Sequence, residues 1–136
     1  MFVLLVVTVA ASIFHYVDNV MFFDTYPEPA WITPHLVNAF WFLMTPVGVI
    51  GYLLFRRGYR SSGVTALFAY GLMNLLTLGH YRYAPPWEIP FRVNLFILLE
   101  VGAAITLMAA LIWCALRSPP REAIDGGGVR QTPDSP

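Results

Sequence analysis

The sequence feature that most constrains this chain is the segment 93–116, VNLFILLEVGAAITLMAALIWCAL, which is apolar almost throughout and is followed by Arg117. About 20 apolar residues in a helix are enough to cross the hydrocarbon core of a bilayer. The segment contains a single acid, Glu100. A carboxylate that faces lipid costs at least about 2.5 kcal/mol. Glu100 is therefore expected to face protein or water, and other helices must surround it.

Three further apolar segments are available to form those helices. The chain of 136 residues is 57% hydrophobic and only 12% charged, whereas soluble domains carry about 25% charged residues. We therefore predict an all-α, four-helix transmembrane bundle over residues 1–117. Its spans are expected at about 2–23, 34–55, 63–81 and 91–116.

Local signals mark details of these spans. Thr33 can cap the second helix with Pro34 at its first position, and Pro46 predicts a kink inside it. Gly71 and Gly79 in the third span predict close approach of a neighbouring helix. The remaining residues, 118–136, are rich in proline, glycine and charge, which predicts a disordered tail.

The distribution of arginine predicts how the bundle is oriented. Most arginines lie at one end of it, at positions 56, 57, 60, 117, 121 and 130, and only Arg82 and Arg92 lie at the other. The positive-inside rule then places both termini and the tail in the cytoplasm, and we expect the plasma (inner) membrane. At the outer face an aromatic belt is expected from Tyr26, Trp31, Tyr83 and Trp87.

Polar residues are concentrated in the outer half of the predicted bundle. At 1.5 Å of rise per residue, His15, Asn74 and Glu100 lie about 10–12 Å below the outer ends of their helices. His15, Asp18 and Asn19 share one helix face because they are spaced i, i+3 and i+4. Ionisable residues at membrane depth are functional candidates, and we predict that Glu100 and His15 share one site.

These positions define a candidate site. The candidate catalytic residues are Glu100, His15 and Asp18. The candidate ligand-binding residues are Asn19, Asn38, Trp41, Tyr70, Asn74, Thr77 and Glu100. The alternative is that such groups only tie helices together, at about 0.6 kcal/mol per hydrogen bond. Glu100 would then be a structural partner of His15 or a protonated carboxyl group.

Several kinds of function are disfavoured by composition. A net charge of zero gives no reason to expect a nucleic-acid partner. Cys114 is the only cysteine, which excludes a dithiol redox centre. No two histidines lie three or four residues apart, so we expect no metal site and no cofactor, and His35 is expected to be solvated.

Three functions remain open for a chain of this kind. The first is binding of a lipid or amphiphile in a pocket of the outer half. The second is service as an accessory subunit, with a membrane protein as partner. The third is an isomerase-like membrane enzyme in which Glu100 and His15 transfer a proton on a lipid-like substrate. In every case the lipid bilayer is the expected surrounding.

The four-helix plan resembles that of the sterol-isomerase and sigma-2-receptor type of membrane protein. The segment HYVDNVMFFD at 15–24 is loosely similar to the segment in which that group carries an acid. The resemblance implies a pocket within the bundle. It also implies that Glu100 and Asp18 would handle a proton or a ligand cation.

Overall fold

The computed structural model describes residues 1–117, and every regular element in that part of the chain is helical. Helix α1 is Phe2–Met21, α2 is Pro34–Arg56, α3 is Arg60–Leu75 and α4 is Phe91–Leu116. Phe23–Thr25 forms a short 3₁₀ turn, and Leu76–Arg82 forms a 3₁₀ segment that prolongs α3. The tail predicted at 118–136 lies outside the described residues.

The four helices form an antiparallel bundle in which each helix packs against two neighbours. The packed pairs are α1 with α2, α2 with α3, α3 with α4, and α4 with α1. One end, here called the arginine end, holds the loop 57–59 and the start of α1. The opposite end, here called the acidic end, holds the connections 22–33 and 83–90.

All four spans are long and apolar enough to cross a membrane. Large apolar side chains cover the outside of the bundle, including Phe14, Leu43 and Leu98 at 63%, 70% and 58% exposure. Water would penalise such a surface, whereas hydrocarbon would not. The fold is therefore compatible with an integral membrane protein.

The helix ends follow mostly from local chemistry. The Thr33 side chain accepts a hydrogen bond from the Leu36 N–H at 3.3 Å, and α2 then continues through Pro46. Gly58, with φ of 91°, lies just after α2 in the left-handed conformation that glycine adopts readily. Helix α3 begins at Arg60, three residues earlier than predicted, because the turn at Gly58 is short.

Glycines allow α3 to approach its neighbours closely. A Cβ atom at Gly63 would lie 2.5 Å from the backbone nitrogen of Phe55 in α2. One at Gly71 would lie 2.6 Å from the Cγ atom of Met108 in α4, as the sequence predicted. The same prediction was wrong for Gly79, where an added Cβ atom would meet nothing within 4 Å. Gly79 lies in the 3₁₀ segment and lines a cavity.

Candidate functional site

A histidine and an acid meet inside the bundle. His15 on α1 and Glu100 on α4 are 3% and 0% exposed, and His15 Nδ1 contacts Glu100 Oε2. The Thr77 hydroxyl, in the 3₁₀ segment that follows α3, lies 3.0 Å from the same Nδ1 atom. The prediction that Glu100 and His15 share one site is thus confirmed as a matter of geometry. Both side chains are buried inside the bundle.

A cavity of about 570 Å³ opens beside this pair, between α1, α2 and the 3₁₀ segment. Its polar floor is formed by His15, Asn19, Glu28, Thr77 and His80. Its walls are apolar and include Ile32, Leu36, Val37, Phe40, Leu43 and Leu76. Leu36, Leu43 and Leu76 are 48%, 70% and 63% exposed. The cavity therefore opens on the apolar outer surface of the bundle and also at the acidic end, where Trp31 and Tyr83 of its lining are exposed.

Glu28 and His80 form part of the floor that the sequence did not predict. Glu28 Oε1 accepts a hydrogen bond of 3.0 Å from Asn19 and lies 3.5 Å from His80 Nδ1. The His80 ring is 5.5 Å from the His15 ring. Burial raises the pKa of the Glu28 carboxyl, and the hydrogen bond from Asn19 opposes that rise. His80 could have been predicted from the sequence, because it lies three residues after Thr77, a predicted binding residue.

Tyr26 lies inside the fold instead of in the outer aromatic belt, so that prediction was wrong for this residue. It is 5% exposed, its ring stacks on His15 at 5.6 Å, and its hydroxyl donates to Asp18 Oδ2 at 2.9 Å. Burial, together with this hydrogen bond to a carboxylate, raises the pKa of Tyr26. The connection 22–33 folds inwards because Asp18 supplies an acceptor for the buried hydroxyl. Trp31, Tyr83 and Trp87 are exposed, at 69%, 55% and 82%.

Asp18 faces this connection and does not line the cavity. One of its oxygens accepts from Tyr26, and the other lies 3.3 Å from Nε of Arg92 on α4. The Arg92 guanidinium lies in turn 3.8 Å from the centre of the Phe22 ring. The contacts of Asp18 thus join α1, α4 and the connection 22–33.

The other predicted binding residues are distributed unevenly. Asn19 and Thr77 line the cavity, whereas Tyr70 and Asn74 are buried in the core. Asn74 donates to the Tyr70 carbonyl at 2.7 Å, and Trp41 donates to the Ser12 hydroxyl at 3.1 Å. Asn38 is exposed and is not brought to the cavity. His35 is exposed, as predicted.

Several buried polar atoms have no hydrogen-bond partner within residues 1–117. They include Asn19 Oδ1, Thr45 Oγ1, Asn74 Oδ1 and Glu100 Oε1. A buried polar atom without a partner costs about 1–3 kcal/mol, and water or a ligand commonly fills such positions. Asn19 Oδ1 is the most relevant of these atoms to ligand binding, because Asn19 lines the cavity and this oxygen can accept a hydrogen bond from a ligand.

Comparison with protein-family models, with curated proteins and with solved structures gives no match for this chain. Within residues 1–117 no group of three His, Cys, Asp or Glu side chains is arranged to hold a metal ion. The fold and site therefore define a class only: a helical bundle compatible with a membrane, with a buried His–Glu pair beside a lateral cavity.

Proposed function

We propose that this protein is a multi-pass protein of the plasma membrane that binds an amphiphile in the lateral cavity. The observation that carries the proposal is the combination of a polar floor inside the bundle with an apolar mouth on its outer surface. An amphiphile would place its polar head on the floor and extend its apolar part through the mouth. It would enter from the bilayer without crossing water.

The floor favours a head group that donates hydrogen bonds. Asn19 Oδ1 has no partner within the described residues, and Glu28 supplies a carboxyl group. No arginine of residues 1–117 lines the cavity, and the chain has no lysine. A phosphate there would lie beside the Glu28 carboxyl group without an arginine or lysine of the described residues to pair with it, and burying a poorly paired charge is costly. The Asn19 oxygen and the Glu28 carboxyl group are better matched by an amine or by a neutral hydroxyl group, such as the head group of a long-chain alcohol.

Photolabelling tests this proposal directly. The purified protein in lipid nanodiscs would be irradiated with an octadecanol that carries a diazirine, and the labelled residues would be mapped by mass spectrometry. We expect labels to be enriched at Leu36, Leu43 and Leu76, and unlabelled octadecanol should compete. Equal labelling of all lipid-facing leucines without competition would contradict binding in the cavity.

A matched pair of variants sharpens the experiment. Leu43→Trp should fill the mouth and reduce labelling severalfold. Leu53→Trp changes another exposed leucine of the same helix, at 43% exposure, that does not line the cavity. It should leave labelling unchanged. A loss of labelling in both variants would point to a general disturbance of α2.

Catalysis of proton transfer on the bound amphiphile is a second candidate. It is favoured by one observation, namely that His15 lines the cavity while its partner Glu100 lies behind it. An imidazole with a carboxylate partner is a common acid–base arrangement. Incubation with a long-chain alkenol in D₂O should then introduce deuterium beside the double bond, and Glu100→Gln should prevent this without reducing photolabelling. If the native protein introduced no deuterium into the alkenol, catalysis would be contradicted and the binding proposal would stand by itself.

A further inference from the structure

A second recess lies at the arginine end, remote from the cavity at the acidic end. It has a volume of about 640 Å³ and lies between the start of α3 and the end of α4. Arg60, Ser61 and Thr65 line it from α3, and Trp113 and Arg117 line it from the other side. We propose that this recess, here called the arginine groove, binds the phosphate head group of an anionic phospholipid.

Charge complementarity is the first argument. Among residues 1–117, two guanidinium groups and no acid line the arginine groove. The acids of residues 1–117 are all in the other half of the bundle or its loops, at positions 18, 24, 28, 88 and 100. Within those residues neither Arg60 nor Arg117 makes an ion pair, in contrast to Arg92 with Asp18. The groove therefore presents positive charge that the described protein does not neutralise.

The geometry of the donors is the second argument. The Arg117 guanidinium lies 3.9 Å from the centre of the Trp113 ring. Stacking of this kind uses the face of the guanidinium and leaves its in-plane N–H groups able to donate to phosphate oxygens. Ser61 and Thr65 are one helical turn apart, so their hydroxyl groups lie on the same side of α3. The groove thus offers charged and neutral donors together.

The position of the groove favours a lipid over a soluble phosphate. Phe55 and Val64 add apolar surface to the lining, which suits the glycerol backbone and the first acyl carbons. Both arginines lie at helix ends, where the phosphate layer of a bilayer meets a spanning helix. Basic pockets between transmembrane helices are known binding sites for anionic head groups.

Native mass spectrometry of the full-length protein tests the proposal. Protein released from micelles would be titrated with dioleoylphosphatidylglycerol and, separately, with dioleoylphosphatidylcholine. We expect the native protein to bind the anionic lipid more tightly than phosphatidylcholine. Arg60→Gln/Arg117→Gln should bind the anionic lipid about tenfold more weakly, since each arginine raises the affinity for anionic lipid a few-fold. Phosphatidylcholine binding should not change. Millimolar inorganic phosphate should not displace the lipid, and displacement would indicate a plain anion site.

The matched control is Arg56→Gln/Arg57→Gln. It removes the same charge from the same end of the bundle, but neither residue lines the groove. This control should keep native affinity for the anionic lipid. Equal losses in the two double variants, or no loss in either, would overturn the proposal. Melting temperatures in detergent would be compared first, and the single variants would replace any double variant that does not fold.

Discussion

At the scale of single residues, the contact between His15 and Glu100 explains how an acid is accommodated in an apolar layer. A lone carboxyl group at that depth would be costly to bury, because nothing would replace its hydrogen bonds with water. The His15 imidazole on a neighbouring helix supplies such a partner. Thr77 supplies a further polar contact to the imidazole. The pair is buried as a small network and not as an isolated charge.

This network leads to a prediction for stability. Glu100→Ala should destabilise the protein by about 3–5 kcal/mol, since it leaves a buried partner without its counterpart. Glu100→Gln should cost less because the amide keeps the shape and can still form a hydrogen bond with His15. Reversible unfolding in mixed micelles would measure both changes. The double variant with His15→Ala should cost less than the sum of the singles, by about 0.5–3 kcal/mol. Additivity within about 0.5 kcal/mol would show that the two residues are not coupled.

At the scale of elements, the contact between α2 and α3 depends on residues that lack a side chain. Gly48 lies against the ring of Tyr70, Gly51 lies against the backbone of Leu67, and Gly63 lies against Phe55. Close approach of this kind lets van der Waals contacts associate helices in lipid, where the hydrophobic effect gives no driving force between them.

The glycine positions give a second prediction. Gly63→Ala should destabilise the protein by about 1–3 kcal/mol, because the added Cβ would overlap backbone atoms that cannot move independently. Gly102→Ala is the matched control, since a Cβ atom added at this position of α4 would meet nothing within 4 Å. It should leave the melting temperature unchanged or slightly higher, because alanine favours helix more than glycine does. Equal effects of the two substitutions would argue against tight packing at Gly63.

At the scale of the whole molecule, the charges are divided between the two ends. Within residues 1–117 the arginine end carries Arg56, Arg57, Arg60 and Arg117, while every acid lies in the opposite half or its loops. This asymmetry is the basis of the proposed orientation. It also separates the two proposed binding sites, because only one of them presents cationic side chains.

The orientation itself is a third prediction. Reporter fusions placed after residue 58 and at the C-terminus should both report the cytoplasmic side, since arginine-rich loops are retained there. A fusion after residue 87 should report the opposite side. Reversing the charge of this loop by Arg56→Glu/Arg57→Glu/Arg60→Glu should weaken or invert the orientation that the fusions report. An external signal after residue 58 in the native chain would show that the orientation is reversed.

The sequence alone determined the helical class and the approximate place of each helix. Bilayer-length apolar segments and caps such as Thr33 are local features, so they can be recognised without knowledge of the fold. The depth of His15 and Glu100 was also predictable, since the rise per residue of a helix is nearly constant. Equal depth made their contact possible, whereas the packing of α1 against α4 and the rotation of both helices brought it about.

Only the tertiary structure decided how each helix is rotated and where the connections fold. Rotation leaves Asn38 exposed and turns Thr77 towards His15, and it depends on which neighbours each helix packs against. The connection 22–33 can fold inwards only if its buried polar groups find hydrogen-bond partners. Asp18 is that partner for Tyr26, and Asn19 is that partner for Glu28. Such pairings join groups on separate elements, and no local pattern of residues specifies them.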